Sequence, residues 1–239
     1  MRVLGIDTAT RIGSIGFIDG DQVVFDDQIK IKPGGAEKIP AVLDEAFRKS
    51  SRRLEELQLI AVGIGPGSYT GLRVGMAIAK GLAFGLGIPL VGIVTLEALA
   101  INLQQQEEII CPLLKSRKGE VYAGLYQQKV GLLKELLPPK IWEPEKLAEL
   151  LRKKRKPVIF LGEGLEEYTD YFSNALENLA RFGTGTENLV HGAELARLGQ
   201  AEWEKNKENQ LYTCLPLYLR RTEAEVRWEE RSCRVDSED

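Results

Sequence analysis

Histidine is almost absent from this 239-residue chain, and His191 is the sole example. That excludes a His-clustered metal centre and an HExxH protease, and it leaves a Ser-His-Asp hydrolase only one residue to use. Cysteine is scarce as well. Cys111, Cys214 and Cys233 are odd in number, far apart and form no CxxC. This argues against a disulfide framework or a zinc site and for a reducing compartment. There is no surplus of positive charge: 32 Lys and Arg stand against 35 Asp and Glu, a net charge of -3. Nucleic-acid binding through overall charge is excluded; a local basic patch is not. Long apolar runs are missing too. The longest, Gly81 to Val94, is too short to cross a bilayer and contains Pro89. The N-terminal MRVLGIDT reads as a strand rather than a signal peptide, so a cytoplasmic protein without membrane contact is expected.

What is present is ordinary for a globular protein: 44% hydrophobic and 28% charged residues. A chain of this size buries roughly 70–75% of its unfolded surface and needs no metal or disulfide staple. It makes one large domain or two small ones.

Strands are expected at Val3–Asp7, Ile12–Ile18 and Gln22–Ile29, an antiparallel meander turning at Asp19-Gly20. Lys32-Pro33-Gly34-Gly35 breaks the chain. Ile39, Val42, Leu43, Ala46 and Phe47 then recur at the helical interval, with Pro40 placed in the first turn or at a kink. A strand at Leu59–Ile64, a long helix to about Gly85 and a strand at Pro89–Val94 complete a β-β-β-α-β-α-β order, which implies parallel pairing through right-handed crossovers. The second half runs similarly: a helix at Leu96–Leu103; strands at Ile109–Leu114, Glu120–Gln127 and Val130–Leu137; a helix at Pro144–Lys154; a strand at Pro157–Leu161; and helices after Gly164 and at Ala193–Lys205. The repeated order suggests a degenerate duplication without sequence identity to prove it. Residues 221–239 mix both charge signs with few apolar residues and read as a loosely held charged tail, with Trp228 as its only large anchor.

The segment from Gly63 to Gly85, GIGPGSYTGLRVGMAIAKGLAFG, is the most informative. Its glycines lie between a strand and a helix, where backbone N–H groups and the helix dipole attract anions, with Arg73 nearby. Asp7, Gly65, Gly67, Ser68, Thr70 and Arg73 are the candidate nucleotide or anion residues, Asp7 being placed to hold a hydrated metal. The established loops do not fit. No lysine completes a Walker loop, Thr70 stands where GxGxxG needs glycine, and Pro66 and Thr70 flank Ser68 where GxSxG needs glycines. Gly71, Gly75, Ala79 and Ala83 recur every four residues as a flat small-residue face, which favours packing or protein contact over phosphate binding. For Asp7 a turn-forming role outweighs a metal-holding one. Arg152 to Lys156, five consecutive cations, could touch RNA phosphates but suits the solvated end of a helix better. Gly162-Glu163-Gly164 is a weak nucleotide-border signal. His191 beside Gly192 reads as a helix cap or surface residue. Tyr122 and Tyr126 share one strand face, which is usually core.

LGIDTAT, GIGPGSYTGLRVGMAIAKGLA, SRKGEVYAGLY (Ser116 to Tyr126) and LPLYLRR (Leu215 to Arg221), in this order and spacing, resemble the TsaB (YeaZ) family over nearly the whole chain. The resemblance implies an α/β fold of ASKHA (actin/Hsp70-like) type. Two RNase H-like lobes, residues 1–100 and 101–220, would each carry a mixed sheet flanked by helices. It also implies a non-catalytic subunit that binds TsaD during formation of N6-threonylcarbamoyladenosine at position 37 of ANN-decoding tRNAs. A TsaE-like ATPase would join, tRNA would be met through the complex, and homodimers would use a similar surface. No cofactor is firmly implied beyond ATP or ADP at the complex interface. The family's contact surface lies on the first two long helices. Mapped here, it comprises Ile39, Val42, Leu43, Ala46, Phe47, Leu72, Gly75, Met76, Ala79 and Ala83. TsaD proteins hold a metal with paired histidines, so a chain with His191 alone resembles a pseudo-enzyme. Two positions depart from the pattern: many relatives have histidine at Gly35 and aspartate at Lys115. The competing expectation is an ATP-binding phosphotransferase or ATPase of the same fold; a peptidase lacks the histidines.

Overall fold

The computed structural model describes residues 1–30, 38–103, 107–129 and 132–220. The Lys32–Gly35 break, Gly35 itself and the tail 221–239 lie outside the described residues. Two five-stranded sheets form the frame. The first, sheet A, contains β1 (Arg2–Asp7), β2 (Ile12–Asp19), β3 (Gln22–Lys30), β4 (Leu59–Gly65) and β5 (Leu90–Val94), in the order β3-β2-β1-β4-β5. The second, sheet B, contains β6 (Ile109–Lys115), β7 (Val121–Lys129), β8 (Leu132–Trp142), β9 (Val158–Leu161) and β10 (Ala180–Phe182), in the order β10-β9-β6-β7-β8. Each sheet pairs its first three strands antiparallel and adds the last two in parallel. The two sheets therefore share one topology, as the repeated element order of the sequence suggested.

The helices are α1 (Ile39–Lys49), α2 (Tyr69–Leu86), α3 (Thr95–Ala100), α4 (Pro144–Lys154), α5 (Leu165–Leu176) and α6 (Gly192–Asn206). Pro40 lies in the first turn of α1, where its missing N–H costs nothing. Ser68 caps α2 by accepting from the Gly71 amide, and Gly87 closes it with φ 65°.

Alternation along the strands sorts side chains into three cores. Leu4, Ile6, Ile15, Phe17 and Val62 face outward against Leu43 and Phe47 of α1 and Met76 and Ala79 of α2. Val3, Ile18, Leu59 and Val91 face inward and share one core with α3, α6 and Ile110, Tyr126 and Ile159 of sheet B. The outer face of sheet B, with Val121, Leu125 and Phe160, packs on Leu147 and Leu151 of α4 and Phe172 of α5. The layers run α1/α2, sheet A, α3/α6, sheet B, α4/α5.

Some boundaries differ from the sequence pattern. Strand β8 continues through Pro138-Pro139 to Trp142, because it is an edge strand where proline is tolerated. The three residues of β10 are too short to show a pattern. Helix α3 ends at Ala100 rather than Leu103; two residues on, the Asn102 amide donates to the carbonyls of Glu187 (2.9 Å) and Leu189 (2.7 Å). Helix α6 returns from the far end of the chain to pack on β1, β2, β4 and β5. The segment after it also returns. The Gln210 amide donates to Leu90 O at 2.9 Å, and the Gly92 amide donates to Gln210 Oε1 at 2.9 Å, covering the β5 edge.

Helix α6 approaches sheet A at backbone distance. A Cβ on Gly16 would overlap the backbone of Ala193, and one on Gly5 would overlap the Gly192 carbonyl. Gly81, on α2, faces open space. Gly16→Ala is expected to destabilise the chain by about 1–3 kcal/mol through overpacking. Gly81→Ala should stabilise it by about 0.5–1 kcal/mol through helix propensity. Thermal melts of the two variants check the opposite signs.

Candidate functional site

Asp7 ends β1 fully buried. Its Oδ2 accepts from the Thr95 hydroxyl at 2.7 Å and its Oδ1 from the Ala9 amide at 2.8 Å. Burial raises its pKa, against the lowering effect of those two bonds. A Cβ on Gly63 would overlap the carboxylate, so glycine there is what admits it. Asp7 therefore braces the ends of β1, β4 and β5 from inside.

The glycine-rich turn is used in the same way. The Gly65 amide donates to Thr95 Oγ1 (3.1 Å), that of Ser68 to Ala9 O (2.7 Å), and that of Gly71 to Ser68 Oγ (3.2 Å). Gly65 has φ 101°, a conformation that favours glycine. Gly67, Gly71 and Gly75 let the turn and the start of α2 rest on Ala9 and Thr8, with which a Cβ at any of them would collide. The Thr8 hydroxyl donates to Gly71 O at 2.7 Å. These amides are occupied by the chain itself. Thr70 is exposed. Arg73 lies over the Tyr69 ring at 4.1 Å and donates to the Tyr218 hydroxyl at 3.1 Å. The candidate anion residues thus come together as a packing joint, with Arg73 engaged by two tyrosines.

The ten candidate interface residues sit mostly within the chain's own core. Ile39, Leu43, Ala46 and Phe47 of α1, and Leu72, Gly75, Met76, Ala79 and Ala83 of α2, are buried against their own sheet, and Val42 is half-buried. The apolar stripe of an amphipathic helix is the face its own core takes. The outward face of α2 is different. It presents Ala77, Gly81, Gly85 and Phe84, the last 70% exposed, flanked by the half-buried Val74, Ile78 and Leu82. The same side carries exposed Arg73 and half-buried Lys80; sequence reasoning missed it because the small-residue stripe Gly71, Gly75, Ala79 and Ala83 reads as a contact surface. Tyr69, Tyr212, Leu215 and Tyr218 add further exposed apolar surface.

A cleft of about 550 Å³ separates the lobes, with Ile12, Leu99, Leu114, Leu165 and Val190 along its walls. Gly162 and Glu163 border it. Its mouth is bridged by ions that the sequence did not reveal. The Arg11 guanidinium, from the β1–β2 turn, pairs with Glu166 and reaches Glu163 at 3.7 Å, while Lys115 Nζ lies 2.9 Å from Glu166. The departure at Lys115 is thereby matched by an acid across the lobe. Tyr126 is fully buried, as its strand face suggested, and Tyr122 is half-buried.

His191 precedes α6 and ties three elements. Its Nδ1 lies 2.6 Å from Asp26 Oδ2 on β3, and its Nε2 lies 3.1 Å from the Thr186 carbonyl of the second lobe. Both partners are acceptors, so only the protonated ring donates to both. The Asp26 carboxylate accordingly raises its pKa above the ordinary value, against partial burial.

A family model described as TsaD: tRNA N6-adenosine threonylcarbamoyltransferase matches residues 34–228. The chain is similar to the tRNA threonylcarbamoyladenosine biosynthesis protein TsaB of Bacillus subtilis, with 33% identity over 95% of this chain and 98% of that one. The TsaB of Haemophilus influenzae is 27% identical over 95% and 96%. Among solved structures, YeaZ from Pseudomonas aeruginosa superimposes with TM-score 0.78 at 23% identity, covering 91% of this chain and 99% of that one. A ROK hexokinase from Thermus thermophilus shares the fold at TM-score 0.52 and 15% identity, over 85% and 100%. The fold is thus of the ASKHA type.

Two predictions follow from this geometry. Thr95→Val removes the donor to Asp7 and the acceptor for Gly65, and should cost about 1–3 kcal/mol in a denaturant titration. The second concerns His191, whose folded-state pKa is raised. Its stabilisation is full below the unfolded value of 6.5 and fades as pH rises through the higher folded value. Melting temperatures measured across pH 6–9 should show that decline in the native protein and a flatter profile in His191→Gln.

Proposed function

The chain belongs to the TsaB (YeaZ) family of tRNA threonylcarbamoyladenosine biosynthesis proteins, and from that premise we propose that it performs no chemistry itself but docks a TsaD-like catalytic subunit through the outward face of α1 and α2. In this reading it supports formation of N6-threonylcarbamoyladenosine at position 37 of ANN-decoding tRNAs in the cytoplasm. A TsaE-like ATPase joins the pair, ATP or ADP is held at the subunit junction, and the same helix face serves a homodimer when the partner is missing.

The observation that carries the proposal is the exposed apolar side of α2 centred on Phe84. Fully burying a phenylalanine contributes about 1.5–3 kcal/mol, and small residues such as Ala77 and Gly81 let a partner helix come close. The α1 side adds the half-buried Val42 beside exposed Ala41, Asp44, Glu45 and Arg48, a polar rim for an apolar centre. The phosphotransferase alternative gains no support from the glycine turn, whose amides at Gly65, Ser68 and Gly71 are bonded within the chain.

Phe84→Glu places an unpaired charge in the contact and should weaken binding of the TsaD-like subunit by at least about 100-fold, with the chain still folded. Gly75→Glu is the contrasting variant: a side chain there collides with Thr8, so it should fail to fold rather than fail to bind. Calorimetric titration of the purified partner checks both. Unchanged affinity in a folded Phe84→Glu variant would refute the docking face, and ATP turnover by the native chain alone, abolished in Asp7→Ala, would favour the phosphotransferase.

A further inference from the structure

We propose that the basic run Arg152–Lys156 is a direct contact for an RNA phosphate backbone, so that this chain touches the tRNA itself rather than only through its complex. The inference rests on the placement of the chain in tRNA modification and deepens it.

The run begins where the packing of α4 stops. Pro144, Leu147, Ala148 and Leu151 form the buried face of the helix, and residues 152–156 beyond them are all exposed. The ordinary role of cations at a helix C-terminus is to offset the dipole, and it accounts for part of the run. Two helices end here, since the Arg152 guanidinium donates to Ala175 O near the end of α5 at 2.7 Å. Each end carries about half a negative charge, so together they call for about one cation. Five are present. Glu149 on α4 and Glu177 at the end of α5 reduce the excess without cancelling it. Lys153, Lys154, Arg155 and Lys156 take part in no ion pair among the described residues, whereas the nearby acid Glu108 is paired with Arg181. Arg155 stands at the αL position after the helix with φ 51°, where glycine or asparagine is the usual choice. The chain keeps a cation there at a conformational cost.

The partner class follows from what accompanies the charge. A helix that lies on a membrane pairs its cations with an apolar face turned to the lipid. The apolar face of α4 is inside the core of sheet B, and residues 152–156 contain no apolar side chain. Closely spaced cations of one sign on a chain of net charge -3 suit a polymer of evenly spaced phosphates. The location is free as well. Helices α4 and α5 form the outer layer opposite α1 and α2, so a protein docked on the latter leaves the basic run in solvent.

The test uses the full chain, alone and with its TsaD-like subunit, titrated into a fluorescently labelled, unmodified tRNA transcript with an ANN-reading anticodon at 50–200 mM salt. The variant is Lys153→Ala/Lys154→Ala/Lys156→Ala, with its fold verified by circular dichroism. Its transcript affinity should fall at least about tenfold, and the slope of log K against log salt should become shallower by about 2–3, one contact per lysine. Its affinity for the protein subunit should not change. Phe84→Glu should do the converse, losing the subunit while the chain's own RNA affinity persists, so a misplaced docking face and a misplaced RNA contact give different results. Wild-type affinity and salt slope in the triple variant would overturn the inference. So would a native chain with no salt-sensitive transcript binding in either form, or one that prefers phosphatidylserine vesicles to the transcript.

Discussion

The structure depends on how closely two helices approach the first sheet. Helix α6 touches the backbone of β1 and β2 through Gly5, Gly16 and Gly192, and the start of α2 rests on Thr8 through Gly71 and Gly75. Helices packed through ordinary side chains stand 8–10 Å apart, and glycine is what permits less. That proximity puts the Gly65–Ser68 turn against Ala9 and brings Thr95 to the buried carboxylate of Asp7. The buried acid, the turn and the helix starts form one hydrogen-bonded joint, and none of its members is free to change alone.

The functional consequence is a division between the two sides of α2. The inner side is small because it must pass close to the β1–β2 turn. The outer side exposes Phe84 with Ala77 and Gly81, beside Arg73 and Lys80. A globular protein leaves single apolar residues on its surface for many reasons; the proposed docking face rests on Phe84 standing among alanine and glycine, with Arg73 and Lys80 as polar neighbours. Motif residues that look like a phosphate cradle are thus explained by packing, and the surface that carries the proposed activity lies on the reverse of the same helix.

Much of this was legible in the sequence. The β-β-β-α-β-α-β order, the first-turn Pro40, the helix at Pro144–Lys154 and the family motifs all pointed to the observed fold, because strand alternation and helix stripes are local signals. The burial of Tyr126 was legible for the same reason. The role of each side of α2 was less legible: the small residues Gly71, Gly75, Ala79 and Ala83 read as a face for a partner, although Arg73 and Lys80 share the opposite side with Phe84. The ion bridge of Arg11 with Glu163 and Glu166 joins residues about 150 positions apart, and only the folded topology makes them neighbours. Strand β10 and the return of α6 to sheet A were hidden likewise: the first has three residues, and the second is a long-range choice that helix periodicity does not encode.

The single inner core shared by both sheets has a mechanical meaning. Val3, Leu59 and Val91 of one lobe and Ile110, Tyr126 and Ile159 of the other pack around the same α3 and α6. Two lobes joined only by a hinge could swing about their cleft, as a jaw does. Here any such swing would pull apart well-packed apolar surface that the interior holds at crystal-like density. The molecule is built as a strut, whose two outer helix layers keep a fixed separation and orientation whatever is attached to either of them.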